Sequence, residues 1–296
     1  MFHDFSGCEP TATFHFSSSD GLSIACARWN AKGAARGTIQ IAHGMGEHIG
    51  RYSEVISLMV EAGFNVWAND HRGHGFSVSS NQCLGDLGKG GFNLLVEDMF
   101  SLCSMARQQA PSLPLILMGH SMGSFAAQQF VLSQSSEIDG LILSGSGILD
   151  GLVTLATESG LEIFNANFEP ARTPADWLSR DVSVVDAFLA DPLCFPQLNP
   201  ASMDSYLSVA SVLADPMNHS KIRNDLPIYI FSGAMDPVGM QTKGVKELVS
   251  RYRNAGVVNI TVDFYDEGRH EMLHDFGHEA VKQNLLNWSK SIKRRN

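Results

Sequence analysis

The residues with chemistry to offer are a serine at 121, an aspartate at 236 and a histidine at 270, in that order along the chain. Ser121 sits in "GHSMG" (119–123), a G-x-S-x-G that directly follows the apolar run "LPLILM" and directly precedes "SFAAQQFVLSQ". A strand, a sharp turn eased by Gly119 and Gly123, and a helix would hold the hydroxyl exposed at a sheet edge. A serine hydroxyl is a poor nucleophile until a base takes its proton, and the base must be oriented by an acid. The expected order Ser…Asp/Glu…His places the acid at Asp236, in "IFSGAMDPVG" just past an apolar strand, and the base at His270, just past "VNITVDFY". Asp215, Asp263, Asp266 and Glu267 are alternative acids, but none has the strand-end loop position of Asp236. His274 and His278 are further histidines, placed where a final helix begins. A developing oxyanion needs two backbone N–H donors. They are expected from Met122, after the nucleophile, and from Met45, in the glycine-rich "AHGMGEH" (42–48) after the third strand.

A second pattern competes for His270. "HEMLH" (270–274) has the H-E-x-x-H spacing of a zinc peptidase, which also needs a third ligand. In the extended pattern the third histidine would fall on Ala280, and no carboxylate follows Glu279. His278 would stand ~12 Å from His270 on a straight helix, too far to share an ion. No metal and no cofactor is therefore expected. "NDHRGHGFS" (69–77) also gathers Asp70, His71 and His74, and it reads as a tight turn bracing the oxyanion loop rather than as a ligand set.

Short β-branched or aromatic runs are expected to be strands at 11–16, 22–29, 37–43, 64–70, 113–120, 138–145, 226–233 and 258–265. Helical patterns lie between them at 51–62, 92–109, 122–135, 241–254 and 277–293. The alternation predicts a mainly parallel sheet wrapped by helices, opened by an antiparallel pair. It breaks between 146 and 222, where short helical stretches are separated by prolines. The division expected is a core of 1–145 and 223–296 with a helical cap of 146–222 inserted in it.

With 296 residues, 44% of them hydrophobic, the chain can bury one large core or two modest ones. A formal net charge of -10 argues against a nucleic-acid partner. The five cysteines are scattered and odd in number, as in a reducing compartment. "MFHDFSGCEP" lacks the features of a secretory signal, and no run approaches the ~18 apolar residues of a membrane span. A cytoplasmic protein is expected; oligomeric state is not readable.

In order, "HGMGEHIGRY" (43–52), "NDHRGHGFS", "GHSMG", "SGAMDPV" (232–238) and "EGRHEML" (267–273) resemble blocks of the α/β-hydrolase superfamily. The resemblance is to its monoacylglycerol lipase and lysophospholipase (serine aminopeptidase-like) branch, and "LSRDVSVVDAFLADPL" (178–193) extends it across nearly the whole chain. It implies an α/β-hydrolase fold with an eight-stranded, mostly parallel sheet and a helical lid. It implies Ser121, Asp236 and His270 as the triad and the Met45 and Met122 amides as the oxyanion hole. It further implies Glu47, Arg51 and His120 near a glycerol-like head group, with Phe188 where relatives often carry a tyrosine at the head-group exit. The bracing alternative for Glu47 and Arg51 is an internal hydrogen bond within their loop.

The expected function is a serine ester hydrolase acting on a lipid or other small ester, first of all a monoacylglycerol or lysophospholipid. Carboxylesterase, thioesterase or aminopeptidase-like activity on the same triad is the alternative. A non-catalytic ligand-binding relative would be expected to lack a triad member. Lid residues Leu152, Leu155, Leu161, Phe164, Trp177, Phe188 and Phe195 would line an acyl pocket or pack the lid on the core, and the lid would offer transient contact with a membrane surface.

Overall fold

Eight strands hydrogen-bond into one sheet in the order β1-β2-β4-β3-β5-β6-β7-β8. They are β1 (Ala12–Ser17), β2 (Ser23–Trp29), β3 (Gly37–Ala42), β4 (Phe64–Asn69), β5 (Leu115–His120), β6 (Gly140–Ser144), β7 (Ile228–Gly233) and β8 (Ile260–Tyr265). The computed structural model describes residues 3–5, 7–78, 83–159, 161–194 and 197–295, the side chains at 159, 161 and 162 excepted. Phe195 and the side chain of Leu161 thus lie outside the described residues. β1 and β2 pair antiparallel through a turn closed by the Ser18 N–H on Leu22 O, β2 is antiparallel to β4, and all later pairs are parallel. The expected mostly parallel sheet is present, with strand ends within one or two residues of those read from the sequence.

The continuous apolar runs are strands covered on both faces. β3, β5, β6 and β7 are buried along their whole length, while β1, at the edge, alternates between half-buried and exposed. Leu115 and Leu117 face a core built with α2 (Gly91–Gln109) and α3 (Met122–Gln134). Ile116 and Met118 face the opposite core, built with α1 (Ser53–Glu61) and α9 (His278–Ser291). Each such side chain contributes roughly 1.5–3 kcal/mol by leaving water.

Between β6 and β7 the chain forms α4 (Leu149–Ser159), α5 (Val182–Ala190), α6 (Pro200–Ala214) and the short α7 (Pro216–His219), with no strand among the described residues. Asp181 caps α5 through the Ser183 N–H, and Asn199 caps α6 through the Ser202 N–H, with Pro200 in the first turn. Val185 and Phe188 of α5 form a small core with Ala175, Leu178 and Cys194, whereas Tyr206, Val209 and Leu213 of α6 join the large one. α8 (Lys243–Asn254) completes the cover between β7 and β8. The parallel strands therefore point their C-terminal ends toward one rim, where open α/β sheets place their sites.

Candidate active site

Ser121 links β5 to α3 with φ +52° and ψ −122°. That backbone costs on the order of 1–3 kcal/mol for a residue with a side chain. It is held by the Ser121 N–H donating to Ser144 O at 2.9 Å and by the Ser121 carbonyl accepting from the Ser124 N–H at 2.8 Å. A Cβ at Gly119 would stand 2.4 Å from Gly123 O, and one at Gly123 would stand 2.3 Å from Ala42 O. Glycine at both places lets the turn pack backbone on backbone.

His270 follows β8, and its Nδ1 donates to Asp236 Oδ1, beyond β7, at 2.9 Å; both residues are buried. The same Oδ1 accepts the Val238 N–H at 2.9 Å. Burial pushes the imidazole pKa down, but the Asp236 carboxylate outweighs it, and the pKa is raised above 6.5. With Nδ1 committed to the acid, Nε2 is the nitrogen left to accept a proton. No hydrogen bond joins Ser121 Oγ to His270 among the described residues; such contacts commonly close only around substrate. Gly145, after β6, has φ +54°, and a Cβ there would come within 2.7 Å of His270 Cε1 and 2.9 Å of His120 Cε1. The His120 ring lies 4.8 Å from that of His270, and burial together with the His270 charge lowers its pKa to about 4.

The alternative acids and bases are engaged elsewhere. Asp263 accepts from Tyr229 Oη, Asp215 caps α7, and Asp266 and Glu267 are exposed. His274 Nε2 meets Arg51 O at 3.0 Å, and His278 Nδ1 meets Asp275 O at 3.0 Å. The H-E-x-x-H residues do not form a helical face, because α9 starts only at His278. Among the described residues the grouping close enough to share an ion is His48, Asp191 and Cys194, with ligand atoms within 4.8 Å of one another. His48 Nδ1 accepts the Gly50 N–H, so Nε2 carries the proton donated to Asp191 at 2.9 Å and is not free to ligate.

The loop after β3 lies against the nucleophile: a Cβ on Gly44 would stand 3.0 Å from Ser121 Cβ. The N–H groups of Met45 and Met122 have no hydrogen-bond partner among the described residues. The loop is braced from two sides. His43 Nδ1 donates to Gly44 O at 2.7 Å while Nε2 accepts the His71 N–H at 2.8 Å, and Asp70 accepts the Ile49 N–H. Burial holds the His43 pKa well below 6.5, which keeps this imidazole neutral.

On the other side, Glu47 accepts the Gly44 N–H (2.5 Å), Tyr52 Oη (2.7 Å) and Arg51 Nη1 (2.8 Å). Arg51 also grips Glu271 with two bonds of 2.7 Å and lies 4.8 Å over the Phe188 ring. Burial raises the Glu271 pKa, but the Arg51 charge overrides it and holds the carboxyl well below its usual range. Glu47 and Arg51 thus spend their polar atoms on the internal brace. Glu271, which stands out in the sequence only through the H-E-x-x-H spacing, is the buried partner of Arg51. Its signal in the sequence was adjacency to His270; the pairing across 220 residues left none. Gly145, close against His270, has no such signal in the sequence, and Trp177, expected to line an acyl pocket or pack the lid, has its ring 4.8 Å from that of His270.

The profile of the family described as "Serine aminopeptidase, S33" (Hydrolase_4) matches residues 33–276. A monoacylglycerol lipase of Mycolicibacterium smegmatis is 29% identical over 277 residues, covering 92% of this chain and 95% of the relative. A monoglyceride lipase of Rattus norvegicus is 27% identical over 266 residues, covering 88% and 83%. A carboxyl esterase of Bacillus coagulans, solved with glycerol, superposes with a TM-score of 0.86 at 28% identity, covering 95% of this chain and 98% of that one. A soluble variant of the Saccharomyces cerevisiae monoglyceride lipase, solved with a substrate analog, shares the fold with a TM-score of 0.77 at 17% identity, covering 99% and 98%. The strand order, the turn at Ser121 and the match over 33–276 lead to one conclusion: the chain is an α/β-hydrolase belonging to the serine aminopeptidase S33 family.

Proposed function

We propose that the protein is a serine hydrolase that cleaves the acyl ester of a monoacylglycerol through an acyl-serine intermediate. His270 Nε2 takes the Ser121 proton as Oγ attacks the ester carbonyl, and Asp236 orients the imidazole and stabilises its cation. The Met45 and Met122 N–H groups receive the oxyanion. Collapse of the tetrahedral species expels the glycerol oxygen, which takes the proton from His270. Water then enters with His270 again as base and releases the fatty acid. The observation that carries this reading is the buried Asp236–His270 pair at the same strand ends as a serine held at positive φ.

The monoglyceride lipases among the relatives favour a glycerol ester over other acyl groups. In this reading 146–222 is the lid over the acyl chain, and the exposed Val182 and Leu189 of α5 offer transient contact with a lipid surface. No helix among the described residues is long and apolar enough to cross a membrane. Fluorophosphonate labelling of wild-type protein and Ser121→Ala tests the nucleophile, with label expected on the first alone. Monoacylglycerol, lysophosphatidylcholine and aminoacyl substrates then test the leaving group. A preference for the aminoacyl substrates would replace the lipase reading with a peptidase one.

A further inference from the structure

The catalytic base is carried on a stretch without regular secondary structure, between β8 and α9, and residues 175–180 of the lid are stitched to that stretch. The Glu271 N–H donates to Leu178 O at 2.8 Å and the His270 N–H to Trp177 O at 3.4 Å. The Arg269 guanidinium caps the same lid turn through Asp176 O (2.5 Å) and Ser179 O (3.1 Å). Asp275 is fully buried and ties the two segments with its carboxylate. Its Oδ1 accepts Arg180 N and Nε, both at 3.0 Å, and the Phe276 N–H at 2.8 Å, while Oδ2 accepts the Arg269 N–H at 2.8 Å. The Trp177 ring lies 4.8 Å from the His270 ring at 43°, with Phe164 stacked behind it.

A buried ion pair adds little stability beyond what apolar side chains of the same volume would provide. What the Asp275 cluster provides is geometry, since four donors in fixed directions leave the loop one position relative to the lid. The hydrogen bond to Asp236 restrains one edge of the imidazole, and Gly145 and His120 lie close against the ring. Trp177 is the lid's own contact with that ring.

We propose that Asp275 and Trp177 are positioning residues for His270, so that this part of the lid belongs to the mount of the base rather than only to the substrate cover. The inference rests on the serine-hydrolase reading and deepens it. A ring displaced by an ångström costs on the order of a hundredfold in rate.

The test uses p-nitrophenyl acetate, whose acyl group is too short to need a lid, alongside a long-chain p-nitrophenyl ester and the rate of fluorophosphonate labelling. Trp177→Ala is expected to lower kcat on the acetate about 10- to 100-fold and to slow labelling in parallel, with KM little changed. Trp177→Phe, which keeps an aromatic face on the ring, restores most of the rate. Asp275→Asn is expected to lower kcat in the same way. Should that variant not fold, Arg180→Gln, which leaves the buried carboxylate three of its four donors, is expected to give a smaller fall of the same kind. If Trp177→Ala keeps wild-type kcat and labelling on the acetate and raises only KM for the long ester, Trp177 is a substrate-lining residue and the proposal fails. A wild-type protein that does not label at all removes the hydrolase reading, and the proposal with it.

Discussion

Two loops bring Ser121 and His270 to the rim of the sheet, one directly after β5 and one after β8, and they are held there differently. The first is fixed by backbone packing: Gly119 and Gly123 let carbonyls and Cα atoms approach to distances that no Cβ allows, and the neighbours that enforce this come from β3, β6 and the turn itself. The second is fixed by charge. His270, Glu271 and Asp275 each meet a partner far away in the chain, namely Asp236, Arg51 and Arg180. Packing of the first kind fails by steric collision and lowers stability and activity together, whereas a missing charge partner can lower one and spare the other.

Asp236→Asn should have the largest effect, lowering kcat by ~10⁴-fold in steady-state kinetics with the unfolding midpoint little changed. The pH dependence gives a second reading of the same pair. Because Asp236 raises the His270 pKa above 6.5, the acid limb of kcat/KM is expected above that pH, with activity rising as the base loses its proton. Without the carboxylate the largest upward push is lost and burial is opposed only by the weaker pull of Glu271 and Glu47, so the limb should move to lower pH. A limb that stays in place would mean that another group sets it.

Glu271→Gln comes next. Arg51 keeps Glu47, but one charge-assisted bond is lost and the new amide NH2 is set against the guanidinium as an unpaired buried donor. Together these cost about 3–5 kcal/mol of unfolding free energy, measurable in urea. The sign with pH follows from the depressed pKa. The stabilisation by Glu271 is complete above the usual carboxylate value, and it is lost as pH falls toward the lowered one. Gly123→Ala should have the smallest effect in energy, at about 3 kcal/mol of overpacking, but it should lower the melting temperature and the activity together. Activity lost without a change in melting temperature would show that the first loop is not held by packing in this way.

Those two modes of support also decide what could be read from the chain. The turn at Ser121 was legible because its requirements are local: an apolar run, two glycines four residues apart and a helix. The strands were legible because burial on both faces leaves uninterrupted apolar runs, as in "LPIYIFSG". The pairing of Asp236 with His270 followed from their positions after such strands. The pairs Arg51–Glu271 and Arg180–Asp275 were not legible, in contrast to the short-range Glu47–Arg51 brace. Glu271 and Asp275 are charged residues outside regular elements, where solvent exposure is the ordinary expectation, and only the folded chain brings Arg51 and Arg180 within 3 Å of them. The H-E-x-x-H spacing illustrates the point from the other direction, since a pattern that presumes a helix has no meaning on a stretch that is not helical.

Adjacent residues His270 and Glu271 face different halves of the machinery. In the proposed reaction the imidazole belongs to the proton path, while the carboxylate next to it holds Arg51, which holds Glu47, which holds the Gly44 N–H one residue before Met45. One peptide unit therefore sets the distance between the place where a proton is collected and the place where negative charge is received. The two loops are thereby joined by one continuous run of buried bonds. In the proposed reaction the group that activates the serine is thus fixed relative to the amides that receive the oxyanion.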